Sequence, residues 1–309
     1  MHRHSFSRRD LLQMSAAAGL ITAASSLLGR EAASAAEAGA QVMSRADAGR
    51  LVPPASGKIP VAFLISDGAV MIDFAGPWEV FQDTMNPATK DEAFDLYTVA
   101  ETSHPIRVSG GMKVVADYTM HNAPQPKLLV IPAQNGESGA TLQWITEVSK
   151  HTDVTMSVCT GAFLLAKTGL LDGKAATTHH AGYIMFANQY PAVQLKRGLR
   201  YVEAGNLASA GGLSSGIDLA LRVVERYFGS EAAQQTAYNM EYQGRGWLDP
   251  GLNSIYASTA TSTDAHPLCP VCGMDADRTI ATSYRSKTYY FCMREHAVLF
   301  EATPDKFTS

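Results

Sequence analysis

The run VTMSVCTGAFLLAKTGLL, residues 154–171, changes character at its middle. Val154, Thr155 and Val158 give a β-branched stretch that stops at Cys159-Thr160-Gly161. Apolar residues then return with helical spacing at Phe163, Leu164, Ala166, Leu170 and Leu171. This is the layout of a strand-to-helix elbow, in which a tight turn holds a nucleophile at the start of a helix. Free backbone N–H groups and the positive end of the helix dipole favour a thiolate there, so a depressed Cys159 pKa is expected. A buried core cysteine is the alternative, since free cysteine is among the most buried residue types.

Outward from the elbow, strand and helix patterns alternate. Residues 59–65 (IPVAFLI), 94–100 and 128–132 read as short buried strands. Helices are expected over 72–82 and 142–150, and a hairpin-like pair around Gly110-Gly111. After the elbow come a short strand at 175–177, a helix near 183–189, strands near 199–203 and 207–209, and a long amphipathic helix over 216–228. That alternation predicts an α/β protein with a doubly wound sheet, whose ligand site lies at the carboxyl ends of the strands. Cys159 falls there. So do Asp73, just past the first strand, Thr160 beside the thiol, and His179 after the short strand. Taken singly, Asp73 could merely cap its helix, and His179 or His180 could be surface histidines.

The chain has 309 residues, 46% hydrophobic and 17% charged, with a formal net charge of −4. Such a length supports one sizeable core plus a small appendix, and the mild acidity gives no sign of a nucleic-acid partner. Ser7-Arg8-Arg9-Asp10-Leu11-Leu12 resembles a twin-arginine export signal, followed by an apolar stretch and a small-residue site at Ala33-Ser34-Ala35. Residues 1–35 are therefore expected to be removed, leaving a periplasmic or secreted protein without stable membrane insertion. Residues 36–58 then form a flexible mature N-terminus before a body over 59–245. Three of the four cysteines, Cys269, Cys272 and Cys292, lie together near the C-terminus, and Cys159 stands apart. Spread disulfide pairs would give a different pattern.

The segments LISDGAVMIDFAGPWEVF, VIPAQNG, SVCTGAFLLAKTGLLDGKAATTHH and LASAGGLSSGIDLALRVVERYFG together resemble the ThiJ/PfpI family of the class I glutamine-amidotransferase-like superfamily. Within it the similarity is to the isonitrile hydratases and to the amidotransferase-like halves of AraC-type regulators. The resemblance implies a flavodoxin-like sandwich, often a homodimer, with a nucleophilic cysteine at the elbow. It implies catalytic roles for Asp73, Cys159 and Thr160 on a small-molecule substrate, an isonitrile being the first choice, and no cofactor at the thiol. His179 is expected to act as an additional base. Two departures stand out: Ala133-Gln134 replace the family's paired glycines, and His180 replaces its tryptophan after the first histidine. Export and the absence of DNA-binding helices after the body speak against a regulator.

Residues 246–265 lose hydrophobic periodicity and read as a linker. Beyond it, over 266–309, Cys269-Pro270-Val271-Cys272-Gly273-Met274 makes a C-x2-C pair, and Cys292 with His296 a C-x3-H pair. Four such ligands suit zinc, copper(I) or another soft divalent metal, and a metal staple would stabilise a module too small for a core of its own. A disulfide within the cluster is the alternative. With Phe300 and Pro304-Asp305-Lys306-Phe307, these residues resemble a YHS domain, a treble-clef-like module. Two functional classes follow: an exported cysteine-dependent enzyme with an accessory metal module, or a non-enzymatic metal-binding or redox-stress protein.

Overall fold

The computed structural model describes residues 49–258 and 260–308. The export signal, its cleavage site and most of the expected flexible N-terminus lie outside the described residues.

The elements, in chain order, begin with β1 (Ile59–Leu64), α1 (Met71–Gln82), β2 (Phe94–Ala100), β3 (Ile106–Arg107), β4 (Lys113–Val114) and β5 (Tyr118–Thr119). Next come β6 (Leu128–Ile131), α2 (Gly139–Ser149), β7 (Val154–Val158), α3 (Gly161–Lys167), β8 (Ala175–Ala176), α4 (Tyr183–Gln189) and β9 (Gln194–Leu195). The body closes with β10 (Tyr201–Ala204), β11 (Leu207–Ala210), α5 (Ser215–Phe228) and α6 (Ser230–Asn239). Seven strands form one sheet in the order β10-β11-β7-β6-β1-β2-β5, parallel except where β10 pairs antiparallel with β11. The chain winds one way from β1 to β2 and the other way from β1 to β6, so a crevice opens at the carboxyl ends of β1 and β6. This is the doubly wound, flavodoxin-like architecture expected.

Both faces of the sheet are covered, which is why its central strands β1 and β6 are apolar throughout. Val61 and Phe63 pack with Val80, Phe81, Met156, Val158 and Leu219 on the α1/α5 face. Ala62 and Leu64 alternate to the other face, with Ile131, Leu164, Leu165 and Phe186. Helix α1 buries Asp73, Phe74, Pro77, Val80 and Phe81, a stripe at helical spacing that contains one carboxylate among hydrophobic residues. It crosses α5 closely: a Cβ at Gly216 would press on Val158 and Pro77, and one at Gly76 on Ile217.

Residues 246–257 are not a free linker. Trp247 is buried, its N–H donating to Asp218 Oδ1 at 2.9 Å, and a 3-10 turn over Pro250–Tyr256 buries Asn253. Low periodicity hid this strap, because it is anchored by a few polar contacts rather than an apolar stripe. The C-terminal module adds β12 (Asp277–Tyr284), β13 (Lys287–Phe291) and α7 (Arg294–Ala302). Arg285 and Ser286 both take positive φ between the hairpin strands, as a two-residue type I′ turn requires. Phe291 and Phe300 fill a small core with Cys269, Val271 and Cys272, giving the treble-clef-like arrangement of knuckle, hairpin and helix.

Candidate active site and metal centre

Cys159 takes φ +59°, a left-handed conformation that bulky residues avoid and that costs about 1–2 kcal/mol. Its backbone is clamped on both sides. The N–H donates to Ala210 O (3.2 Å) and Gly211 O (2.9 Å), and the carbonyl accepts from Thr178 Oγ1 at 2.9 Å. Gly161 permits the sharp entry into α3, because a Cβ there would overlap the Ile131 carbonyl oxygen. Cys159 as a whole is only 8% exposed.

The Asp73 carboxyl lies beside it and is fully buried. It is not a helix cap: Val70 holds the N-cap position, and Asp73 Oδ2 reaches across to accept from Ala133 N at 3.2 Å. Oδ1 is buried without any hydrogen-bond partner of that kind among the described residues. Burial pushes the Asp73 carboxyl up to about 7, against the smaller opposing pull of the Ala133 N–H and the Cys159 thiol. Burial, and then the Asp73 charge, pushes Cys159 up to about 12, while the N–H groups of Thr160 and Leu213 pull it down. The expected depression of the thiol pKa is therefore corrected: near neutral pH the resting pair holds a thiol, because desolvation outweighs the helix terminus.

Thr160, beside the thiol, aims its backbone N–H at the sulfur and makes no side-chain cap on α3. His179 sits on the adjacent wall, its ring so close to Gly212 that a Cβ there would overlap it. Its Nδ1 accepts from Ala181 N at 3.2 Å, and burial together with neighbouring His180 pushes its pKa down to about 4. With Nδ1 accepting, a neutral His179 carries its proton on Nε2 and is a hydrogen-bond donor. That corrects its expected part as a base. His180 stacks between His179 and Tyr256 of the strap, with ring centroids 4.3 and 4.6 Å away.

Sequence reasoning missed Leu213, whose N–H also points at the Cys159 sulfur and whose φ is +42°. The glycine pair Gly211-Gly212 before it was the available signal. It also left Ala133 as a mere departure, whereas its N–H is taken up by Asp73. Gln134 Nε2 donates to Leu64 O at 3.1 Å.

In the C-terminal module, Cys269, Cys272, Cys292 and His296 bring their ligand atoms within 4.8 Å of one another. Cys272 and Cys292 Sγ are 3.4 Å apart, His296 Nδ1 is 3.2 Å from Cys292 Sγ and 3.5 Å from Cys269 Sγ, and all the thiols are free. The turn that spaces the first pair is a tight knuckle: Cys269 N donates to Met274 O, and Gly273 N, at φ +78°, donates to Cys269 O. The Cys272 thiol, and then the backbone N–H groups of Cys292, Cys272 and Val271, pull the Cys269 pKa down against burial, as suits a thiolate ligand. Donor type, number and spacing fit one tetrahedral soft metal.

A doubly wound sheet with a strained cysteine at the switch-point edge defines a class of α/β proteins built around an elbow thiol. The sequence model of the DJ-1/PfpI family matches residues 60–226, and the chain belongs to that family. An isonitrile hydratase from Pseudomonas putida is 28% identical over 198 residues, covering 62% of this chain and 82% of the relative. The transcriptional regulator CdhR of Pseudomonas aeruginosa is 29% identical over 150 residues, 46% of this chain and 44% of the regulator. Among solved structures, a ThiJ/PfpI family protein from Pseudomonas syringae superposes with a TM-score of 0.55 at 23% identity, over 62% of this chain and 78% of that one. No helix among the described residues is long and apolar enough to cross a membrane.

Proposed function

We propose that the protein is a cysteine-dependent enzyme acting on a small electrophile, with isonitrile hydration to an N-substituted formamide as the favoured reaction. The observation that carries this is the Asp73–Cys159 pair: a buried carboxyl held near pH 7 against a thiol in a strained elbow. Asp73 takes the thiol proton as sulfur attacks the isonitrile carbon. It then returns that proton to the carbon, leaving a thioimidate, R–N=CH–S–Cys159. Water adds to the same carbon as Asp73 accepts one of its protons and the nitrogen gains one. The C–S bond breaks, R–NH–CHO leaves, and the proton on Asp73 goes back to Cys159. The Thr160 and Leu213 N–H groups stabilise negative charge on sulfur at attack and departure. His179, through Nε2–H, orients the substrate nitrogen.

Export through the twin-arginine route to the periplasm and a homodimeric state belong to the same reading. Residues 266–309 are taken as a YHS-like module whose ligands hold zinc or copper(I).

A second reading, a non-enzymatic metal-binding or redox-stress protein, is favoured by the Cys3His cluster alone. Turnover of isonitriles, amides and glyoxals by the purified protein separates the two. Cys159→Ala should abolish turnover, and Asp73→Asn should lower it by roughly 10²–10⁴-fold while removing an acid limb near pH 7 from the rate profile. Full activity in Asp73→Asn would refute the mechanism, and no turnover of any of the three classes would leave the second reading.

A further inference from the structure

The knuckle that carries two of the four candidate metal ligands is docked on α4. Asn188 Nδ2 donates to Val271 O at 3.1 Å and reaches Pro270 O at 3.5 Å. Gly273 lies flush on the helix, since a Cβ there would overlap Ile184. Met185 packs into the small core formed by Cys269, Val271, Cys272, Phe291 and Phe300. Helix α4 thus supplies part of the core that the module lacks.

The N-terminal end of the same helix touches the thiol site. It is entered through the 3-10 turn at His180–Gly182, whose N-cap is His179. Gly182 lies against Phe163 and Thr160: a Cβ on it would be 3.2 Å from Phe163 Cε2 and 3.8 Å from Thr160 Cγ2. Along α4 the knuckle's contacts begin at Ile184, two residues beyond Gly182, and reach Asn188 near the end of the helix, so the knuckle and the residues around Cys159 share one short helix. The strap adds a second connection through the stack of Tyr256 on His180.

We propose that metal loading of the Cys3His cluster fixes α4 against the body and so sets access to Cys159, with Ile184 and Asn188 as positioning residues. A metal would bind the knuckle to Cys292 and His296 far more firmly than the weak sulfur contacts between them, adding to the turn's own hydrogen bonds and the small apolar core. With the knuckle released, Ile184 and Asn188 lose their partners, and Gly182 and His179 lose the support that keeps the wall closed beside the buried Cys159. The coupling itself concerns thiol access; its catalytic consequence rests on Cys159 being the nucleophile.

The test uses the full chain, loaded with zinc or stripped by a chelator. Alkylation of Cys159 by iodoacetamide is followed on its own peptide by mass spectrometry, with hydrogen exchange measured over residues 180–189. Stripping is expected to speed alkylation fivefold or more and to raise exchange in α4, with both reversed by added zinc. Asn188→Ala and Ile184→Ala, still holding one zinc per chain, should each speed alkylation at least threefold. Equal rates and equal exchange in loaded and stripped protein would overturn the proposal. If stripping unfolds the module altogether, wild-type rates in the two zinc-replete variants would overturn it. Zinc-dependent alkylation without turnover of any substrate keeps the link and removes the enzyme; turnover indifferent to stripping does the reverse.

Discussion

Asp73 holds a proton that the unfolded chain would release. Its carboxyl titrates near 7 in the folded protein against an ordinary 3.8. Between those values the folded state binds the more protons, so stability falls as pH rises from about 4 to about 7. The accumulated loss is about 4 kcal/mol above pH 7, at 1.36 kcal/mol per pKa unit. Asp73→Asn keeps an acceptor for the Ala133 N–H and removes the titration. The variant should therefore melt higher than wild type at pH 8, with the gap closing toward pH 4; a constant gap across that range would contradict the burial of a charge at this position. Stability gained where turnover is lost is the mark of a residue kept for chemistry. In the sequence, Asp73 was legible because it follows the first strand inside a family motif. Its partner Ala133 was not, since a backbone N–H leaves no trace in residue type. The height of the Cys159 pKa was likewise hidden, because burial is a property of the fold.

At the scale of elements, the elbow depends on how closely α3 approaches the end of β6. Gly161→Ala places a methyl group on the Ile131 carbonyl oxygen and Pro132, so α3 must shift. Overpacking of this kind costs about 1–3 kcal/mol, which thermal melts would detect, and the shift would carry the Thr160 N–H away from the sulfur. Unchanged stability would mean that the approach is looser than described. The strands were readable nearly residue by residue, at Phe94–Ala100 and Val154–Val158 for example, because burial on both faces favours short runs rich in apolar and β-branched residues. Helix α6 was not anticipated: Ser230–Asn239 is rich in Ala, Gln and polar residues, and only Ala233, Thr236 and Ala237 are buried. Its place comes from packing along α5. Leu213 escaped for a related reason, since its positive φ follows from a loop closed between β11 and α5.

At the scale of the molecule, the strap and the knuckle dock the module by different means. The strap holds residues 246–257 to the body, and the module is joined from Ser262, whose Oγ accepts from Leu268 N, so only a few residues link the two. A tether of that length keeps the knuckle near α4 at an effective concentration of the order of millimolar. The knuckle's own affinity for the helix can therefore be very weak, and a single amide with a few apolar contacts suffices for occupancy. Docking should consequently tolerate a longer tether. Doubling the span between residues 258 and 262 with Gly and Ser lowers the effective concentration only about threefold, by the −3/2 power of length. Hydrogen exchange in α4 should then stay within threefold of wild type, and a larger rise would show that the tether itself is taut. The short turn at Pro250–Tyr256 thus acts as a concentration device: it converts a contact too small to survive between separate molecules into a standing one within a single chain.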